Sequence, residues 1–455
     1  MSENLRLYKL AQNLMIMQPL MLKIKNRPIV VFADDLTGAM EVGLQSFPAV
    51  VLNNVDTDAV HAASAESNKT IVINTQTREL SAEQTYQVTN EKSSAISIPE
   101  GTATYYKIDS TMRAHIGAGI KAFKEALQCD LVVIAPALPQ NGRITRNGVH
   151  YVDAVQVHET QYAKDIMTAS PTSYIPAIIG YQLGESVQLI SLDVVQQGWQ
   201  NIKTALEKQP QGTVVAIDAV IPEDLDNIAE AIHLLNADVL SVGSAGLFRA
   251  ICRVLGRSSN QVVPIITDWT RQLPKKRKRN PKDGRIIVIA GSLNQRTNAQ
   301  IETAIATLGD KVKLLELDVN KVIARGKSRT TEIERLRGQI LSSLQAKKHI
   351  VVRTNRTLLK CSQEEEDDIV KALGEAINDD AIIEKSALLL LTGGQTAYFV
   401  TQVLGASGIE VKGEIEKFIP VGILIGGKYD GVPVVTKAGG FGSQEVIANI
   451  LTGMS

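Results

Sequence analysis

Leu388–Leu389–Leu390–Leu391–Thr392–Gly393–Gly394–Gln395–Thr396 runs a short apolar strand into a glycine pair and then into residues that open a helix. The same order occurs twice more in the last third of the chain. Ile286–Ala290 leads into Gly291–Ser292, and Val432–Val435 leads into Lys437–Ala438–Gly439–Gly440–Phe441–Gly442. Such a turn presents backbone N–H groups at a helix start, where the helix dipole favours negative charge. One turn is equally well explained as a tight strand–helix connection. Three in one α/β unit predict a polyphosphate site, that of ATP. Neither GxGxxG nor GxxxxGK[ST] occurs, so a dinucleotide fingerprint and a P-loop are both absent.

Working outward, residues 285–455 form this α/β unit. Residues 267–284 before it hold Lys275–Lys276–Arg277–Lys278–Arg279 between Pro274 and Pro281, with no apolar period. Like charges and prolines predict a solvated linker rather than a nucleic-acid or nuclear-localisation segment. Upstream, 28–266 alternates apolar strands with helices. Ile29–Ala33, Val50–Leu52, Thr70–Asn74, Leu131–Ala135 and Val214–Ile217 are of the buried parallel type, and Arg113–Leu127 reads as a crossover helix. Asn141–Val149, punctuated by Gly142 and Gly148, reads as a turn-rich excursion. The expected fold class is therefore α/β: two α/β domains with mainly parallel sheets, joined by a basic linker, with the active site in the cleft between domains. Residues 1–27 read as an N-terminal extension. Leu14–Leu22 is interrupted by Gln18 and Pro19 and is followed by Lys23, Lys25 and Arg27 without a small-residue cleavage site, unlike an export signal.

Composition narrows the function classes. The chain has 455 residues and a formal net charge of +0, which argues against a nucleic-acid footprint or a polybasic membrane binder. Its 3 cysteines and 6 histidines lack zinc-ligand spacing, and a reducing cytoplasm is the expected compartment. No apolar run reaches the ~18 residues of a membrane helix.

Two constellations in the first half carry chemistry. Asp34 and Asp35 end the first core strand in Ala33–Asp34–Asp35–Leu36–Thr37–Gly38, where open α/β sheets bind ligands. Adjacent carboxylates there predict metal or substrate-hydroxyl binding; capping of a helix starting near Ala39 by Asp35 or Thr37 is the plainer alternative. In Lys107–Ile108–Asp109–Ser110–Thr111–Met112–Arg113, Lys107 and Asp109 share a strand face. Ser110, Thr111 and Arg113 would then open the next helix, a set suited to a small hydroxylated carboxylate. A surface ion pair with a Ser/Thr cap is the plainer reading. In the second half, Ser292 and Thr297 are hydroxyls for phosphate or cap, Gly393 and Gly394 allow close approach, and Lys437 offers a counter-charge beside Gly439 and Gly440.

Taken together, Val31-Phe-Ala-Asp-Asp-Leu-Thr-Gly-Ala39, Lys107-Ile-Asp-Ser-Thr111, Ala290-Gly-Ser292, Thr392-Gly-Gly-Gln-Thr396 and Val435-Thr-Lys-Ala-Gly-Gly-Phe-Gly442 resemble the four-carbon acid sugar kinases. That family comprises ATP-dependent D-threonate, D-erythronate and 3-oxo-tetronate kinases. The resemblance spans about Pro28 to the C-terminus. It implies an N-terminal domain that binds the sugar acid and a C-terminal domain that binds ATP through Ser292, the Gly393, Gly394, Gln395, Thr396 turn and Gly439. The Ala438–Gly442 turn and the Val157–Asp165 stretch look more like the threonate and erythronate kinases than the oxo-tetronate kinases.

The expected reaction moves the γ-phosphoryl of MgATP onto a hydroxyl of the C4 acid. Asp35 is the expected base, with Asp109 as the other catalytic carboxylate and Asp34 as the metal contact. Asp34, Thr37, Lys107, Ser110, Thr111 and Arg113 would hold the substrate. A homo-oligomer is left open, and neither nucleic acid nor membrane is an expected partner. The rival classes are a nicotinamide-dependent dehydrogenase, which the missing glycine fingerprint disfavours, and a non-catalytic binder of nucleotide and sugar acid.

Overall fold

The computed structural model describes residues 27–55, 69–160, 162, 172–257, 284–291, 294–355 and 361–453. The N-terminal extension up to residue 26, the linker through residue 283, Ser292 and most of 161–171 lie outside them. The chain divides into two compact units. One comprises Met1–Asp34, Gln45–Pro48 and Val60–Ser259; the other comprises Asp35–Leu44, Ala49–Ala59 and Asn260–Ser455.

In the first unit seven strands run parallel in the order Thr70–Asn74, Ile29–Ala33, Ala103–Lys107, Val239–Gly243, Leu131–Ala135, Thr213–Ile217 and Val187–Ile190. The sequences IVVFA, LVVIA and TVVAI explain why: β-branched, apolar residues suit strands covered on both faces. Val31, Phe32 and Ala33 are wholly buried. The chain places Thr70–Asn74 on one side of Ile29–Ala33 and Ala103–Lys107 on the other, so the carboxyl end of Ile29–Ala33 is a switch in strand order. Ala33 pairs with both Asn74 and Lys107, and Lys107 with Gly243, which aligns these strand ends.

The excursion after Leu131–Ala135 is a small antiparallel sheet of Arg143–Arg146, Val149–Val152 and Val155–Gln156. Asn147 (φ 51) and Gly148 (φ 73) make its first turn. An Asn-Gly pair with two positive φ angles is the favoured two-residue hairpin, a signal that the turn-rich reading of this stretch left unused.

In the second unit Val312–Leu317, His349–Thr354, Arg285–Ala290, Ser386–Thr392 and Pro433–Lys437 are parallel neighbours in that order. Ile419–Ile425, Gly408–Glu416 and Ala49–Leu52 extend the sheet antiparallel. Ile286, Val288 and Ala290 face a core with Ile301 and Ala304 of the helix Gln295–Leu308 and with Ile447, Ile450 and Leu451 of the C-terminal helix. Ile287 and Ile289 are equally buried on the opposite face, as a doubly covered sheet requires. Strand Ala49–Leu52 joins this unit through pairs such as Ile409↔Val51, although it precedes the linker in sequence. No helix among the described residues is long and apolar enough to cross a membrane.

Three local expectations change. The helix after Asp109 begins at Ile116, not at Arg113, because Met112 (φ 62) and Ala114 (φ 89) adopt left-handed backbone incompatible with a right-handed helix. The first helix begins at Leu36 rather than near Ala39. The third glycine turn reaches its helix only at Val446.

Candidate active site

In the first unit, Asp34 is fully buried at the end of Ile29–Ala33. Arg78 grips both of its oxygens, Nε to Oδ2 at 3.1 Å and Nη2 to Oδ1 at 2.7 Å. Backbone bonds between the ends of two neighbouring strands put Arg78 there. The Thr75 amide and hydroxyl both donate to the Ala33 carbonyl, and the Thr77 and Arg78 amides donate to the Asp34 carbonyl. Arg78 was not singled out from the sequence. The signal was available, since Thr75–Gln76–Thr77–Arg78 follows an apolar strand just as Asp34 does.

Beyond the end of the adjacent strand Ala103–Lys107, Asp109 accepts from Arg113 Nε at 2.6 Å and from the Thr111 hydroxyl. Burial alone would push this carboxyl up. The charge of Arg78 and the bonded guanidinium of Arg113 outweigh it and hold Asp109 well below the usual carboxylate range. Arg78 therefore serves two acids. The strand ends at Lys107, so Lys107 and Asp109 do not share a strand face; Lys107 is buried and its Nζ donates to the Ile108 carbonyl at 3.0 Å.

His150 braces this loop from the hairpin. Its Nε2 bonds the Ser110 carbonyl at 2.8 Å, and its Nδ1 pairs with the Thr145 hydroxyl at 3.0 Å. The carbonyl can only accept, so Nε2 carries the proton and Thr145 donates. Asp218 seats the hairpin turn by accepting the amides of Asn147, Gly148 and Leu192 at 2.7, 2.8 and 3.0 Å. Burial holds the His150 imidazole at about 4, below its ordinary 6.5, despite its bond to Ser110. The unfolded chain therefore takes up this proton first. The His150 contribution, on the order of 3 kcal/mol, is complete above pH ~6.5 and is lost as pH falls toward 4. His150→Gln should accordingly flatten the decline of the urea midpoint between pH 7 and 4.5 relative to the parent protein. Equal slopes in the two proteins would refute this account of the hairpin.

In the second unit, Asp35 caps the helix Leu36–Gln45: its Oδ1 accepts the Gly38 amide at 2.8 Å, so the plainer sequence reading holds. It also does more. A Cβ on Gly394 would lie 3.2 Å from Asp35 Oδ2 and 2.7 Å from Thr37 Oγ1, so both side chains meet the start of the helix Gly394–Val403. Gly393 there has a φ of 103, which favours glycine.

The three glycine turns share one sheet edge, because Arg285–Ala290, Ser386–Thr392 and Pro433–Lys437 are consecutive parallel neighbours. Side chains stitch them. Thr297 Oγ1 pairs with Thr392 Oγ1 at 3.3 Å and donates to the Gly439 carbonyl at 2.9 Å, while Thr396 Oγ1 lies against Gly291. Asn294 Oδ1 caps the helix Gln295–Leu308 through the Arg296 and Thr297 amides at 2.9 and 3.3 Å.

Lys437 is 2 % exposed, and its Nζ faces the Ala438, Gly439 and Phe441 carbonyls and Thr297 Oγ1 at 3.1 to 3.4 Å. It organises the turn from beneath. Burial, with Arg296 adding to it, pushes its ammonium down to about 8. Gly440 is exposed at the turn's tip, and Gln395 opens the Gly394 helix.

No group of three or more His, Cys, Asp or Glu is arranged for a cation among the described residues. Asp34, with both oxygens on Arg78, fits a metal poorly.

Two domain models match the chain in turn. A model described as a sugar-binding N-terminal domain matches residues 29–251, and one described as a nucleotide-binding C-terminal domain matches 287–447. A D-threonate kinase of Salmonella typhimurium is 30% identical, with 93% of this chain and 97% of the relative covered. A D-erythronate kinase of Heliobacterium modesticaldum is 27% identical over 92% and 94%. The crystal structure of a Salmonella typhimurium LT2 protein, described as a tRNA synthase, has a TM-score of 0.70 at 22% identity, covering 92% of this chain and 97% of that one; this likeness concerns the fold alone. Both domain models match in order and the first relative aligns over nearly the whole chain, so the protein belongs to the four-carbon acid sugar kinase family and is a phosphotransferase with a hydroxyl acceptor.

Proposed function

We propose that the protein transfers the γ-phosphoryl group of ATP to a hydroxyl of D-threonate or D-erythronate. The observation that carries the nucleotide half is the gathering of three glycine turns on adjacent strand ends of the second unit. Phosphoryl transfer asks a protein mainly for alignment and charge stabilisation. Amides at Gly393, Gly394, Gln395 and Thr396, with Gly439 and Gly440, are the proposed phosphate cradle, and Ser292 adds a hydroxyl. Lys437 holds the third turn in shape and lends its charge from below. Mg²⁺ keeps most of its waters and binds phosphate oxygens, so it is proposed to arrive with ATP rather than in a protein cage.

In the first unit, a sugar acid offers a carboxylate and hydroxyls. Arg113, Lys107, Ser110 and Thr111 are the proposed contacts, with Asp109 and Asp34 orienting the two guanidiniums of Arg113 and Arg78. The kinship with a D-threonate kinase and a D-erythronate kinase favours an aldonate. Asp35 is the proposed base, with Thr37 beside it.

A coupled assay of ADP release over D- and L-threonate, D- and L-erythronate and 3-oxo-tetronate tests the reading. Release with D-threonate or D-erythronate supports it, a preference for the oxo acid would reassign the substrate, and no release with any acid would reject it. Asparagine caps a helix as well as aspartate does, so Asp35→Asn removes the base while keeping the cap. Turnover should fall by roughly 10²–10⁴-fold with ATP still bound. Wild-type turnover in that variant would move the base elsewhere.

A further inference from the structure

We propose that the Phe441 ring is the stacking platform for the adenine base of the nucleotide, with Phe418 bracing it from behind. The inference rests on the ATP reading above and adds the subsite that distinguishes a nucleotide from a bare polyphosphate.

Phe441 lies two residues beyond Gly439 in the third turn and is 39% exposed, whereas Phe32, Phe123 and Phe248 are fully buried. A single exposed phenylalanine is ordinary on a protein surface. This one differs in how firmly it is held out. Its amide donates to the Ala438 carbonyl at 3.1 Å. Its carbonyl accepts from Gln300 Nε2 at 3.1 Å and from Lys437 Nζ at 3.4 Å. Gln300 also bonds the Gly442 and Ser443 carbonyls, at 3.2 and 2.8 Å. Glu416 takes the Ser443 amide and hydroxyl at 2.6 and 3.0 Å. Bonds on both sides of Phe441 thus hold the main chain of the turn from which the ring projects.

The ring's direction is set by Phe418, whose centroid lies 5.6 Å away at 54°. Phe418 occupies the turn between Gly408–Glu416 and Ile419–Ile425, at a left-handed φ of 67. Glu414 accepts its amide at 3.0 Å, which holds that conformation. Lys417 Nζ sits 5.1 Å from the Phe418 ring. The pairing of Val421 with Val435 brings the start of Ile419–Ile425 to the strand end at Lys437, so the aromatic pair stands on the same edge as the glycine turns. An aromatic face fixed beside a phosphate cradle matches the flat, apolar face of a purine, and stacking of a base on such a ring multiplies affinity by roughly 5- to 150-fold.

Calorimetric titration of the full chain with MgATP and with inorganic tripolyphosphate tests this. Phe441→Ala should weaken MgATP binding by about 5- to 150-fold and change tripolyphosphate binding less than about twofold. Phe441→Trp should keep MgATP affinity, and its added emission should respond to MgATP and not to tripolyphosphate. Equal weakening of both ligands in Phe441→Ala would mean that the side chain merely shapes the turn, and unchanged MgATP binding would mean that the base lies elsewhere; either result overturns the platform. A parent protein that binds neither ligand would instead reject the nucleotide reading itself, and the platform with it.

Discussion

Arg78→Met is expected to destabilise the first unit by roughly 3–5 kcal/mol, the usual consequence of removing one partner from a buried ion pair. Asp34 is wholly buried with both oxygens on this guanidinium, and the depressed carboxyl of Asp109 leans on the same charge. Without Arg78, Asp34 would lose the guanidinium that grips it in the interior, and Asp109 would lose one of the charges that hold its carboxyl down, keeping that of Arg113. The parent protein's advantage from Asp109 is present above the ordinary carboxylate range near 3.8 and is lost as pH falls through the depressed folded value. The gap between variant and parent in urea unfolding should therefore be widest at neutral pH and narrow in acid. Arg78→Lys restores the charge but not the two-pronged grip, so it should recover only part of the loss. A variant within about 1 kcal/mol of the parent would mean that other groups offset the burial of Asp34.

The second large effect is at Gly394. Any Cβ there would press on Thr37 Oγ1 at 2.7 Å and approach Asp35 Oδ2 at 3.2 Å. Asp35 cannot easily retreat, because its Oδ1 holds the Gly38 amide and the helix start with it. Gly394→Val should displace the start of the Gly394–Val403 helix and raise the apparent Michaelis constant for ATP by roughly 10²-fold, the scale of an ångström-sized misplacement. Gly338→Ala is the matched control. Nothing lies within 4 Å of its added Cβ, it sits exposed in the helix Gly326–Gln345, and it should gain roughly 0.5–1 kcal/mol of stability. Unaltered ATP kinetics in Gly394→Val would remove that helix start from the nucleotide site.

Much of the framework was legible locally. Apolar pentads such as Ile29–Ala33 announced buried parallel strands, and the glycine turns after Arg285–Ala290 and Ser386–Thr392 announced helix starts, whereas the turn after Pro433–Lys437 reaches its helix only at Val446. The site was legible only in part. Asp35 was chosen for its place after a strand, yet its cap and its contact with Gly394 are separate facts, one local and one not. Arg113 was expected at a helix start and instead lies in a loop with two left-handed residues. His150 was missed because Asn147–Gly148 was read as a loop rather than as a hairpin turn that returns a histidine to Ser110. Lys437 was expected as a counter-charge beside the turn; that it lies buried, with its Nζ on the turn's own carbonyls, was not legible.

The amino-acid order by itself determined the elements: strand from apolar runs, turn from glycine, and cap from aspartate. Each depends on forces acting within a few residues. Only the tertiary structure decided which ends lie together. It inserted Val239–Gly243 between Ala103–Lys107 and Leu131–Ala135, assigned Ala49–Leu52 to the second unit, and brought Arg78 to two carboxylates at once. Those arrangements arise from pairing between segments far apart along the chain. There the free energy of burying a charge or extending a sheet depends on partners that no short window of sequence contains.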